Sequence, residues 1–190
     1  MLGNDIVDLK IAGKESNWRR SGYLEKIFTK FEQNIIKDSL NPDLVVWILW
    51  SIKESVYKAH NRISLIYEFA PSKIEIENLK ISEKSASAEI SYHKTQYFSK
   101  TEYSKHFVHT IAIKDSLNLF GIKILGLKTT SRDYTNILLK KNLIENSQKV
   151  QKTNEGIPNI VTETEGNEIP ISISHHGSYL GIIINNSITR

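Results

Sequence analysis

The segment Asn41-Pro42-Asp43-Leu44-Val45-Val46-Trp47-Ile48-Leu49-Trp50 limits what this chain can fold into more than any other. Asn41 can cap a helix, a proline at the first helical position loses no hydrogen bond, and Asp43 in the first turn complements the positive end of the dipole. The pattern predicts a helix from Leu44 to about His60. Its first half is apolar on every face, and such a helix is stable only when covered on all sides. The rest of the chain must therefore wrap around these turns. From Lys53 onward the helix becomes ionic, with Glu54 and Lys58, so its far end reaches the rim of the core.

Tyr23, Leu24, Ile27, Phe28 and Phe31 recur at helical spacing and predict an earlier helix over much of residues 20–38. After Pro71 the period changes to two, through Ile74 and Ile76, the stretch around Ile90, and Phe107, His109, Ile111 and Ile113, which reads as an antiparallel sheet. A boundary follows at 113/114, before a segment with Gly121 and Gly126, and from Ser131 a helical pattern resumes through Tyr134, Ile137, Leu138, Lys141 and Ile144. Two last strands carry Ile171 and Ile173, then Leu180, Ile182 and Ile184, with His175-His176-Gly177-Ser178 as the turn between them. At 190 residues the chain is one large unit or two small similar halves, and its order is helix, helix, sheet, then helix, sheet.

No apolar run is long enough to span a bilayer. The absence of cysteine removes disulfides, thiolate nucleophiles and sulfur-ligated zinc, and fits a reducing compartment. The two aspartates in Met-Leu-Gly-Asn-Asp-Ile-Val-Asp-Leu do not suit a secretory signal, so a cytoplasmic location is expected. The net charge of +4 suits phosphates or an acidic partner protein, while the scattered lysines argue against nucleic acid.

Glu54 and Lys58 lie four apart on one helical face with Trp50 a turn away, as a surface ion pair or as charges placed at the rim of a core for chemistry. Asp5 and Asp8 are turn or cap residues, or carboxylates able to hold a hard cation; magnesium is then the default because only oxygen ligands are at hand. His106 and His109 read as structural, and His60 as a helix C-cap. His175, beside Ser174 and a glycine turn, is a surface turn residue or part of a phosphate site. The chain has no Gly-rich phosphate loop, no Gly-x-Ser-x-Gly elbow and no His-Glu-x-x-His helix.

Taken together, Gly3-Asn4-Asp5-Ile6-Val7, Ile27-Phe28-Thr29-Lys30-Phe31-Glu32, Trp50-Ser51-Ile52-Lys53-Glu54-Ser55-Val56-Tyr57-Lys58-Ala59, Gly156-Ile157-Pro158 and Ile173-Ser174-His175 resemble the 4'-phosphopantetheinyl transferases. The order of the pieces resembles the monomeric surfactin-synthetase-activating type with its two halves circularly permuted: residues 1–113 look like that type's second half and residues 114–190 like its first. The resemblance implies an α+β fold of two similar halves related by a pseudo-twofold. Each would pack an antiparallel sheet on a long helix, with the active site between them. The alternative is the smaller, trimeric holo-acyl-carrier-protein-synthase type carrying an insertion.

By resemblance, Asp5 and Glu54 would be magnesium ligands, and Lys58, Arg132, Gly156, Pro158, Ser174 and His175 would hold coenzyme A. The family's second metal carboxylate is replaced by Val7, so a water would take that place, and Ile157 stands where the family carries lysine. The implied reaction moves 4'-phosphopantetheine from coenzyme A to a serine of an apo carrier protein, as in fatty acid biosynthesis, with release of 3',5'-ADP. Glu54 would be the general base, and Lys58 would stabilise the leaving phosphate. Ile27, Phe28 and Phe31 either dock the carrier or face the core. A coenzyme A or nucleotide binding module without transfer activity is the rival from another class.

Overall fold

The computed structural model describes residues 1–64, 68–114, 122–162 and 168–185; Gly121 and the junction after residue 114 lie outside these. The chain opens with strand β1 (Leu2–Asp8), followed by the short helices α1 (Leu9–Glu15), α2 (Tyr23–Ile27) and α3 (Lys30–Asp38) and the long helix α4 (Pro42–Ser64). Strands β2 (Glu75–Ile81), β3 (Ser85–Tyr92), β4 (Thr95–Tyr103) and β5 (Phe107–Lys114) complete the first half. The second half runs β6 (Ile122–Lys128), α5 (Tyr134–Lys140), β7 (Gln148–Lys152), β8 (Pro158–Thr162), β9 (Glu168–His176) and β10 (Tyr179–Asn185).

Two five-stranded antiparallel sheets result, ordered β1-β5-β4-β3-β2 and β6-β10-β9-β8-β7. The second order is the first with every strand number raised by five. The principal helix follows the first strand of its half in both cases, α4 after β1 and α5 after β6. The halves differ in size of helix: α4 has 23 residues, whereas α5 has only 7 where a long helix was expected. Asn142 adopts a left-handed φ of 53° and ends α5, so Leu143 and Ile144 reach the second core from a turn despite their helical spacing.

Asn41 caps α4 as expected, its side-chain oxygen accepting from the Leu44 amide at 3.2 Å. Val45 to Leu49 are buried among β1, β5 and the neighbouring helices. The single helix expected over residues 20–38 is instead broken at Phe28, which is extended. Thr29 starts α3 through a reciprocal capping box: Glu32 donates its amide to the Thr29 hydroxyl, and its carboxylate accepts the Thr29 amide. That carboxylate also pairs with Lys53 at 2.8 Å, both side chains being fully buried, and Lys53 donates further to the Pro71 and Ile74 carbonyls. Lys53 thus faces away from the ionic end of α4 and joins that helix to α3 and the sheet.

Strand β4 escapes the period-two pattern because its inward residues are Tyr97, Ser99 and Thr101, which are buried but largely polar. Thr101 meets Thr110 of β5 hydroxyl to hydroxyl at 2.9 Å. His60 is not a C-cap, since α4 continues to Ser64; its ring bonds the Tyr97 hydroxyl at 2.8 Å and stacks on His93. The turn expected over residues 175–178 contracts to Gly177 and Ser178, with both histidines inside β9.

The two halves meet along β1 and β9. As the edge strand of its sheet, β1 would present every second amide unpaired. Those amides, of Asn4, Ile6 and Asp8, donate to the side chains of Ser172, Ser174 and His176 at 3.0, 3.0 and 2.9 Å. Three alternate side chains of one sheet therefore replace the backbone partner that the other sheet lacks. No helix among the described residues is long and apolar enough to cross a membrane.

Candidate active site

The site begins with the close approach of β1 to α4. A Cβ on Gly3 would lie 2.2 Å from the Ser55 carbonyl oxygen and 2.5 Å from the Ala59 amide nitrogen, so only glycine allows the strand to lie against the helix backbone here. Ser55 also fastens the helix to the neighbouring strand, donating to the Thr110 carbonyl of β5. Two residues along β1, Asp5 arrives beside the ionic face of α4.

Asp5 is nearly buried, at 7% exposure. Its Oδ1 accepts from Lys58 Nζ at 3.1 Å and from the Ser174 hydroxyl at 2.9 Å, whereas its Oδ2 is buried without a partner. Glu54, one turn before Lys58 on α4, has its carboxyl pushed up to about 7, first by burial and then by the negative charge of Asp5, with Lys58 opposing. Asp5 and Glu54 face one cleft, Lys58 pairs with Asp5, and the second Asp5 oxygen is orphaned. That arrangement suits a divalent cation. Among the described residues no group of three His, Cys, Asp or Glu side chains could hold a metal; Asp5 and Glu54 are the two carboxylates that could contribute ligands here.

The cleft has a volume of about 560 Å³ and lies between the halves, lined by Asp5, Glu54 and Lys58 from one and by Ser174 and His175 from the other. A second cleft of about 340 Å³ continues from it, with Arg132, Lys152, Gly156, Pro158 and His175 in its walls. Lys58 and His175 line both. The structure thus gathers the eight residues singled out in the sequence into two adjoining spaces. Five of them line the first cleft. The others, Arg132, Gly156 and Pro158, lie in the second cleft.

Neither ring nitrogen of His175 has a well-formed hydrogen bond, and its pKa is lowered by burial and then by the Arg132 cation. Gly156 takes a φ of 80° in the turn before β8, which the Thr153 carbonyl closes by accepting the Gly156 amide at 2.9 Å. Ser174, expected to grip phosphate, engages its hydroxyl with Asp5 as donor and with the Ile6 amide as acceptor. Asp8 is a cap: its carboxylate accepts from Lys10 and Ile11 at the start of α1 and from Ser178 in the β9–β10 turn. Val7 lines the first cleft and packs into the core of the first half, offering no ligand. Of the three apolar docking candidates, Ile27 and Phe28 are buried in that core, and Phe31 is exposed.

A family model described as the 4'-phosphopantetheinyl transferase superfamily matches residues 1–113. The chain belongs to that superfamily. The part of this superfamily member that the model covers carries Gly3, Asp5, Glu54 and Lys58, while Arg132, Ser174 and His175 lie beyond it. Among solved structures, the crystal structure of Thermotoga maritima holo-[acyl-carrier-protein] synthase (AcpS) is similar, with a TM-score of 0.45 and 13% identity over 88% of this chain and 83% of that one. No curated protein sequence matches significantly.

One further participant has no motif of its own. Arg62 lines the second cleft and is joined to the first residue of β8, directly after the turn that forms its wall. Its spacing was the available signal, since Glu54, Lys58 and Arg62 follow one another at intervals of four on α4.

Proposed function

We propose that this superfamily member transfers 4'-phosphopantetheine from coenzyme A to a serine of an apo carrier protein and releases 3',5'-ADP. The observation that carries this reading is the convergence of Asp5, Glu54 and Lys58 in the cleft between the halves, with His175 completing it from the other side. The serine oxygen forms a bond to the β-phosphorus, and the bond from that phosphorus to the bridging oxygen breaks. The serine proton goes to the Glu54 carboxylate, directly or through one water. Lys58, lining both clefts, faces charge that develops on the departing phosphate, and its placement with Glu54 on one rigid helix fixes their geometry. Magnesium held by Asp5 and Glu54 would supply charge neutralisation on the phosphate oxygens. Arg132, with Gly156 and Pro158 beside it, receives the nucleotide end of coenzyme A in the second cleft, while Ser174 holds Asp5 in place.

The shared strand order supports a circular permutation of the surfactin-synthetase-activating type: with each half built alike, exchanging their order along the chain preserves the architecture. Because the second half supplies Ser174 and His175 to the first half's carboxylates, one chain completes the site, and light scattering should find a monomer. A trimer would favour the smaller holo-acyl-carrier-protein-synthase type. Phe31 remains as the exposed apolar contact for an acidic carrier protein in the cytoplasm. The reading is tested by incubating the protein with coenzyme A, magnesium and a panel of apo carrier proteins. One phosphopantetheine mass should appear on a carrier serine. Coenzyme A binding with no mass gain on any carrier would leave a binding module instead.

A further inference from the structure

The end of α4 is tied to the second half by one side chain. Arg62 Nη1 donates to Asn159 Oδ1 at 2.8 Å, and Nη2 donates to the Pro158 carbonyl at 2.8 Å and to the Ile171 carbonyl. These contacts span 96 to 109 residues of sequence. The network continues inside the second half, where Asn159 Nδ2 donates to Glu168 Oε2 at 2.6 Å. Among the described residues no carboxylate lies within ion-pair distance of the half-buried guanidinium: the Arg62 pKa is lowered by burial, with the more distant Glu168 opposing. A cation desolvated in order to grip two carbonyls and an amide oxygen is a poor choice for stability alone, since its desolvation is not offset by a paired charge. What it fixes is position: a planar fork with several donors sets both the distance and the angle between two backbones.

The carbonyl it holds belongs to Pro158, next to the Gly156-Ile157 turn that walls the second cleft, and Arg62 stands one helical turn beyond Lys58. We infer that Arg62 is a positioning residue, which registers the 156–159 segment against the Glu54–Lys58 face of α4 and so sets the width of the second cleft for the nucleotide end of coenzyme A. This role rests on the transfer reading. It adds that the distance between the nucleotide site and the reacting phosphate is set by α4 itself rather than by the second half alone. Ligand binding then depends on Arg62 although the side chain's donors face the protein.

The test compares the wild type with Arg62→Lys and Arg62→Met, using coenzyme A binding by calorimetry, hydrogen exchange of residues 153–160 by mass spectrometry, and steady-state kinetics. Arg62→Lys keeps the charge and one carbonyl contact but loses the fork. It should fold with β1 and β5 exchanging as in the wild type, exchange residues 153–160 about tenfold faster, and bind coenzyme A about tenfold more weakly. Its KM for coenzyme A should rise by a similar factor, with kcat changed less than about threefold. Arg62→Met should show the larger effect in each readout. Unchanged exchange at residues 153–160, or coenzyme A binding equal to that of a wild type that binds it, overturns the positioning role and leaves the transfer reading intact. A wild type that does not bind coenzyme A overturns both.

Discussion

Ser174 donates its hydroxyl to Asp5 Oδ1 across 2.9 Å while accepting the Ile6 amide, so a residue of the second half orients a carboxylate of the first. Ser174→Ala removes both bonds and leaves the Ile6 amide without its partner. The expected cost is about 1–3 kcal/mol of stability. If Asp5 is the metal carboxylate proposed above, loss of its orienting bond lowers metal affinity and activity about 10- to 100-fold. Magnesium titration followed by transfer assays checks this, and unchanged magnesium affinity would remove Ser174 from the orienting role.

Glu54→Gln should abolish transfer while the fold is kept. Its effect on stability carries a sign. In the folded protein the carboxyl titrates at about 7, above its ordinary 4.5, so the folded state keeps a proton that the unfolded chain releases. Stability therefore falls as pH rises from about 4.5 through about 7, and the variant, which cannot ionise, escapes the loss. Without divalent cations the variant should be the more stable at about pH 8, by at most about 3 kcal/mol, and should match the wild type near pH 4. Thermal melts across that range decide it; parallel curves for the two proteins would contradict the burial and Asp5 repulsion assigned to Glu54.

At Gly3 the sterics leave no room, since an added methyl would overlap the α4 backbone at Ser55 and Ala59. Gly3→Ala must push β1 away from α4 and carry Asp5 with it. A cost of about 3 kcal/mol or more is expected in urea unfolding. Residual activity should fall further than the folded fraction does. A variant with wild-type stability would show that β1 can shift without strain.

Lys53 and Glu32 form a fully buried pair with no place in the proposed chemistry. Lys53→Met alone strands the Glu32 carboxylate in the core and should cost about 3–5 kcal/mol. Adding Glu32→Gln should restore much of that, because the amide oxygen can still accept a backbone amide without a buried charge. A double-mutant cycle by chemical denaturation measures the coupling. Additive effects would mean that the two side chains do not depend on each other.

The sequence revealed most where local chemistry alone decides conformation. Asn41-Pro42-Asp43 starts α4 at the expected place because capping, proline geometry and the helix dipole act within a few residues. The Thr29 capping box was equally local and was there to be read, yet helical spacing across Phe28 masked the break. Strand β4 was not legible, since Ser99 and Thr101 are buried by neighbouring strands rather than by their own hydrophobicity. The resemblance pointed to Asp5, Glu54, Lys58 and His175 without showing how they meet. It also pointed to Ser174, but only the fold shows that its hydroxyl meets Asp5.

By itself the sequence determined the buried helix, the alternating strands, and the placing of Glu54, Lys58 and Arg62 along one face of α4, because periodicity is a property of a single segment. Tertiary structure alone decided that β9 side chains would serve the open edge of β1, that Lys53 would turn inward to Glu32, and that Arg62 would hold the start of β8 at Pro158. Each of these joins groups far apart in the chain. Their partners are fixed only when unpaired amides, carbonyls and charges lose water and must be satisfied by whatever the fold brings beside them.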